Sequence, residues 1–202
     1  MKEHDHDYSG SVSVLSEKNT VTHDPSKKLV SGEITMDLLE GLQTRRSIRT
    51  YTDRPVTREQ LREIIRLGTM APSGQNNQPW RFVTIQNKET LQKLAQLTKY
   101  SHIIGRAAAC IAVFVDKTAM YHEVKDHQSM GACIQNLLLA SHGMGLGAVW
   151  LGEILKSAKE VRELCGLSND LDLMAVVALG HLVGKGGKAD RRPVDEVLLK
   201  EL

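Results

Sequence analysis

The sequence predicts an α+β fold built as one globular domain, and three observations lead there. Apolar runs of strand length, at about 81–86, 109–115 and 173–179, are interspersed with helix-patterned segments, without the strict βαβ alternation of a doubly wound parallel sheet. The segment 126–142 carries Met130, Cys133, Ile134, Leu137, Leu138 and Ala140, so a helix there is apolar on nearly every face and must be covered on both sides. At 202 residues and 41% apolar, the chain has material for one full core.

The elements follow in order. Residues 1–35 are polar, rich in serine and threonine, and aperiodic; they are expected to form a leader ahead of a domain spanning 36–202. His4 and His6 read as part of a solvated tail rather than as metal ligands. A helix is expected over Met36–Thr44. The next helix is signalled by a capping box of Thr57 and Gln60, with Val56 stapled onto Leu61 and with Leu61, Ile64, Ile65 and Gly68 on one face. Pro72 bars further helix, so the Pro-Ser-Gly loop falls just past its end. Arg81–Gln86 alternates as a strand, Glu89–Leu97 reads as a helix, and the unbroken apolar run Ala109–Val115 reads as a buried strand.

The long helix Asp126–His142 stops at Gly143. Ala148–Leu151 is a short strand or turn. Ser157 and Glu160 are placed to cap a helix ending at Gly166, Leu173–Leu179 is a second buried strand, and Pro193 can open a last short helix. No internal repeat is visible.

Composition excludes several classes. The formal charge is +2, so nothing pushes the chain toward nucleic acid, and two Phe and two Trp are too few for a base-stacking surface. No apolar run reaches about 18 residues, which argues against a membrane span. The first seven residues lack a basic start followed by an apolar stretch and are not read as a signal peptide. Cys110, Cys133 and Cys165 fit no disulfide or zinc spacing; buried free thiols are expected, and with them the reducing cytoplasm. The histidines form no HExxH set, and no metal site is expected.

Three segments carry chemistry. Arg45-Arg46-Ser47-Ile48-Arg49-Thr50-Tyr51 is dense in anion donors, since guanidinium forks match phosphate oxygens in pairs and a serine hydroxyl adds another donor. The plain alternative is a solvated basic helix end. If the helix persists, Arg49 lies one turn beyond Arg45 and Arg46 and reaches a different part of the same ligand. Pro72-Ser73-Gly74-Gln75-Asn76-Asn77-Gln78-Pro79-Trp80 is either a simple connection or a rigid turn whose primary amides suit a heterocycle with carbonyls and ring nitrogens; Trp80 is read as core. Gly145–Gly152 only loosely resembles a dinucleotide fingerprint. It follows a helix instead of a strand, so that reading is rejected, and its small residues let backbone N–H groups approach a flat ligand. Arg191 and Arg192 either complete a phosphate site or lie in a surface loop beside Lys185 and Lys188.

In this order, these segments resemble the nitroreductase family of FMN-dependent oxidoreductases. The likeness extends through Gln135-Asn136-Leu137-Leu138-Leu139-Ala140, Trp150-Leu151-Gly152-Glu153, Ala178-Leu179-Gly180-His181 and Arg191-Arg192-Pro193, over about residues 36–202. The resemblance implies a sandwich with a central mixed or antiparallel sheet flanked by helices, forming an intertwined homodimer with FMN at the interface. It implies that Arg45, Arg46 and Ser47 hold the FMN phosphate with Arg191 or Arg192, and that Arg49 sits at the pyrimidine edge. Pro72, Ser73, Asn76 and Gln78 would approach from the second subunit, while Trp150, Leu151 and Gly152 would lie near flavin N5 and O4. The implied activity is ping-pong transfer from NAD(P)H to a small electron-poor acceptor such as a nitroaromatic or quinone, with the chemistry carried by FMN and no catalytic side chain. Reductive dehalogenation or flavin-destroying chemistry on the same scaffold is an alternative, and a flavin-binding dimeric module without turnover is another. The segment Lys117–Lys125, with Tyr121 and His122, lies where the family varies in covering its site.

Overall fold

The computed structural model describes residues 36–184 and 186–202; the expected leader, residues 1–35, lies outside the described residues, as does Lys185. Helix α1 spans Leu38–Thr44 and is capped by Asp37, whose Oδ1 accepts from the Leu39 N–H at 2.9 Å and the Glu40 N–H at 3.3 Å. That cap starts the helix two residues later than the expected Met36. Arg45 then leaves helical geometry, with φ −56° and ψ 130°. The helix ends at Thr44 as expected and does not persist to Arg49, so the condition for a helical spacing of Arg49 is not met: the chain runs extended from Arg45. Ile48 N–H donates to the Ala148 carbonyl at 3.0 Å, and Thr52 N–H to the His181 carbonyl at 2.8 Å.

Helix α2 (Arg58–Gly68) opens with both halves of the expected Thr57–Gln60 box, and Val56 and Leu61 are buried together. Strand β1 is Trp80–Ile85. Helix α3 is Lys88–Ala95, capped by Asn87, whose side chain accepts from the Thr90 N–H. A four-residue helix α4, Ser101–Ile104, was not anticipated; it is too short for periodicity to reveal. Then come β2 (Ala109–Asp116), α5 (Glu123–Gly143), β3 (Leu146–Leu151), α6 (Ala158–Leu164), β4 (Leu171–His181) and α7 (Val194–Val197). The Ser157 side chain makes no capping bond to α6, because a 3-10 turn over Glu153–Ser157 feeds directly into the helix. Pro193 does precede α7.

The four strands form an antiparallel sheet in the order β1-β2-β4-β3. A single parallel bridge, Ser47 to Ala148, adds the extended segment at the β3 edge. Alternate residues of β2 explain why its whole run is apolar. Cys110, Ala112 and Phe114 face α3, α4 and α6, while Ala109, Ile111, Val113 and Val115 face α2 and α5. The β2–β4 register slips between Val113 and Phe114, skipping Met174. The bulge resets the phase, so Leu173 and Ala175 enter opposite layers. Helices thus cover both sheet faces, and α5 packs between the sheet and α2.

Two contacts fix the functional edges. A Cβ on Gly147 would lie 2.5 Å from Ile48 Cγ2 and 2.7 Å from its Cβ, so glycine alone lets the extended segment sit against β3. Beyond β3, Glu153 accepts from the Thr98 hydroxyl at 2.6 Å and the Lys99 N–H at 3.2 Å, and pairs with Lys156 at 2.6 Å, tying the α3–α4 turn to the end of β3. The Lys156 and Thr98 bonds pull its carboxyl down to about 2.

Gly147→Ala should destabilise the fold by about 1–3 kcal/mol through overpacking. Urea or thermal unfolding would show it, and an unchanged midpoint would mean that Ile48 yields freely. Because the Glu153 carboxyl is depressed from 4.5 to about 2, its contribution is complete above pH 4.5 and disappears as pH falls through about 2. The stability gap between wild type and Glu153→Gln should therefore be widest near neutrality and close over that acid window; a gap independent of pH would contradict the assignment.

Candidate functional site

At the end of α1, the Thr44 hydroxyl donates to the Glu40 carbonyl at 2.7 Å, so His142 Nε2, 2.9 Å away, is the donor to Thr44 Oγ1. From there the arginines are delivered by an extended strand. Ile48 anchors it, only 7% exposed within the core, and its neighbours turn toward the C-terminal loop. The result is a cleft of about 230 Å³ lined by Arg45, Arg46, Ser47, Arg49, Gly187, Lys188, Ala189 and Arg191. The loop closes tightly, since a Cβ on Gly186 would meet Arg46 Cβ at 2.5 Å.

Among the described residues, five cationic ones line this cleft and no carboxylate does. None of the five forms a salt bridge with an acid among the described residues. Arg46 spends one guanidinium nitrogen on the carbonyls of Gln43 and Arg45, at 2.7 and 2.8 Å. Partial burial, then the nearby Arg191 and Arg46 charges, hold the Arg45 guanidinium below its ordinary value. Such a cluster is electrostatically unsatisfied and suits a multiply charged anion. Arg191 lines the cleft and Arg192 does not. Lys188, weighed from sequence only as part of a surface loop, joins it; its place depends on the fold returning residues 186–191 to the α1 end.

The amide loop is held under backbone strain. Gln75, Asn76 and Gln78 have φ of 55°, 56° and 47°, the left-handed region that costs a non-glycine residue about 1–2 kcal/mol. Gln78 N–H donates to Ser73 Oγ at 3.1 Å, and Asn76 N–H to the Ser73 carbonyl at 3.0 Å. Asn77 is the anchor: its side-chain nitrogen donates to the Ala119 carbonyl at 3.0 Å and to Asp126 Oδ1 at 2.6 Å. Pro72, Asn76 and Gln78 are left exposed. Trp80 is 5% exposed and belongs to the core, as expected. Strain concentrated where side-chain amides stay open is a mark of a binding element.

On β3, Trp150 is 41% exposed in a strand that is otherwise buried, Leu151 is buried, and Gly152 is exposed. The parallel Ser47–Ala148 bridge places the arginine segment beside β3, two residues before Trp150. The amide loop does not line the cation cleft within one chain. Asp126 was read from sequence as no more than a helix start, yet it is fully buried. Burial would raise its carboxyl, but the His122 N–H, the Asn77 amide and the Tyr121 N–H together hold it below the usual range. Burial pushes the Cys133 thiol up to about 12 and the Cys110 thiol upward as well, so neither is poised as a nucleophile. All three cysteines are free. Among the described residues, no helix is long and apolar enough to cross a membrane, and no cluster of three acids, histidines or cysteines could hold a metal.

Comparison with known proteins identifies the family. The family model described as the Nitroreductase family matches residues 42–102 and 97–181. An Archaeoglobus fulgidus protein named as an NADH dehydrogenase/NAD(P)H nitroreductase is 34% identical over 72% of this chain and 85% of its own length. The FMN reductase [NAD(P)H] of Bacillus subtilis is 29% identical, over 80% of this chain and 72% of its own. Among solved structures, a Desulfovibrio desulfuricans protein described as a nitroreductase in complex with FMN superposes with a TM-score of 0.79 at 46% identity, covering 83% of this chain and 99% of that one. With its antiparallel sheet covered by helices on both faces, and with the arginine strand and the amide loop at their expected places in the sequence, the chain belongs to the Nitroreductase family.

Proposed function

We propose that this chain is an FMN-dependent oxidoreductase that takes electrons from NAD(P)H and delivers them, by a ping-pong cycle, to a small electron-poor acceptor such as a nitroaromatic or quinone. The observation that carries this is the cleft of five cationic residues without a carboxylate, set beside β3. The residues fit the cofactor. Arg45, Arg46, Ser47, Lys188 and Arg191 supply donors for a phosphate, and the exposed amides of Gln75, Asn76 and Gln78 supply mixed donors and acceptors for a heterocycle. The FMN-bound structure and the FMN reductase among the relatives support the same cofactor.

Bound there, FMN would supply the hydride and electron chemistry. The protein's residues position and polarise. Arg49, in the cleft but two residues past Ser47, would place a fixed guanidinium where negative charge builds at the pyrimidine edge, at no reorganisation cost. Trp150, Leu151 and Gly152 would bring backbone groups to the other side of the ring. No acid–base side chain is required by this reading.

The amide loop would act on the cofactor held by a second copy of the chain, making the enzyme a homodimer. Exposed Leu38, Leu39 and Leu42 on α1, and Val194, Val197, Leu198 and Leu199 at the C-terminus, support such an interface. So do Gly131, Ala132, Gln135 and Leu139, which share one face of α5 and remain only half buried. Three free cysteines suit a reducing cytoplasm.

Anaerobic stopped-flow tests the proposal. NADH or NADPH should bleach bound flavin, and a nitroaromatic or quinone should restore its colour; flavin that neither nucleotide reduces would leave only a binding module. Arg49→Ala should slow bleaching by about 10²-fold, the usual scale for one preorganised donor, while weakening FMN retention much less. Equal losses in both would contradict the role given to Arg49.

A further inference from the structure

Asp126 sits in the first turn of α5 with no exposed surface, and no lysine or arginine pairs with it among the described residues. A buried carboxylate without a counter-charge is costly unless its oxygens are fully hydrogen-bonded. Here they are bonded to two different segments. Oδ2 accepts from the Tyr121 N–H at 2.9 Å and the His122 N–H at 2.8 Å, while Oδ1 accepts from Asn77 at 2.6 Å. Asn77 gives its second amide hydrogen to the Ala119 carbonyl at 3.0 Å. Both of its donors are therefore spent on residues 119–126, and its own Oδ1 is buried and has no partner among the described residues. Leaving a buried oxygen unpaired is a cost to the fold. The loop accepts that cost in the orientation that serves Asp126.

A second attachment lies close by. A Cβ on Gly74 would collide with the Tyr121 phenol, so the ring rests directly on the loop backbone where glycine makes room. Tyr121 is nevertheless 40% exposed, and Lys125 Nζ stands 5.5 Å from its ring centroid. The strained residues Gln75 and Asn76 follow Gly74 immediately, so the Tyr121 ring is placed by the same loop that presents the open amides.

We propose that Asp126 and Asn77 are positioning residues that fuse the Ser73–Gln78 loop and the Tyr121 turn into one unit, so that Tyr121 forms a specificity-determining wall of the site for planar, electron-poor aromatic acceptors. The proposal rests on the flavin reading above, because the loop is what brings Tyr121 to the ring. A phenol face offers offset stacking to a flat electron-poor ring, worth about 0.5–1.5 kcal/mol, and gives nothing comparable to a small inorganic oxidant.

The clamp is tested without turnover. Hydrogen exchange on the full-length dimer should show Asp126→Asn raising exchange in residues 73–78 and 119–126 together. Asn77→Ala should do the same, and adding it to Asp126→Asn should change little more. Faster exchange confined to 119–126 would overturn the coupling. If Asp126→Asn does not fold, Asn77→Ala alone still decides it, since fast exchange in only the 73–78 loop would equally separate the two segments.

The wall is tested by acceptor kinetics. Tyr121→Ala and Asn77→Ala should each raise KM for a nitroaromatic by up to about tenfold relative to ferricyanide, and Tyr121→Phe should not. Equal shifts for both acceptors would overturn the role of Tyr121. Wild-type protein that retains no FMN would instead overturn the flavin reading and the wall with it, while the exchange result would still decide the clamp.

Discussion

Ile48 enters the core across Gly147, and this close approach dictates where the arginines go. A helix running on through residue 49 would have spread Arg45, Arg46 and Arg49 around a solvated cylinder. Instead the chain extends at Arg45, the Ile48 N–H joins the Ala148 carbonyl, and side chains on either side of Ile48 turn toward the 186–191 loop. Gly186 closes that loop onto Arg46. Partial burial, then the neighbouring Arg191 and Arg46 charges, hold the Arg45 guanidinium below its ordinary value, and among the described residues no carboxylate lines the cleft to relieve them. The apolar contact at Ile48 thus stores an electrostatic demand that an anionic ligand can meet.

The other functional element is held by the opposite device. Three left-handed residues in the amide loop would relax if the loop were free. Asn77 ties them to Asp126, and Asp126 draws the Tyr121–His122 turn into the same knot. One element is positioned by burying a hydrocarbon and the other by burying a charge. Both are anchored on α5 or β3, consecutive elements joined at Met144 and Gly145, so the scaffold beneath them is continuous.

Much of this was legible in residue patterns, for reasons that can be stated. The Thr57–Gln60 box is local, and a local signal survives folding. The apolar run of β2 announced a strand covered on both faces. The motif order carried the family. The failures were non-local. Helical spacing could carry Arg49 only if the helix persisted, and the chain instead leaves the helix at Arg45 and packs Ile48 against Gly147; Ser157 looked like a cap, but the Glu153–Ser157 turn feeds directly into the helix. Arg191 and Arg192 could not be separated, because only the return of the C-terminal loop chooses between them. Lys188, which lines the cleft, and Asp126, which ties the amide loop to the Tyr121–His122 turn, were not singled out, one among surface cations and the other as an ordinary acid in a first helical turn.

The central claim is that the arginine cleft grips a phosphate, and the contribution of that one group can be isolated. Binding of FMN and of riboflavin, which share the ring and differ in the phosphate, should be compared by flavin fluorescence quenching at low and moderate salt. Each charge-assisted bond to the phosphate contributes about 1.5–3 kcal/mol, so FMN should bind at least about 10²-fold tighter, with the advantage shrinking as salt rises. Equal affinity for the two flavins at every salt concentration would contradict the account.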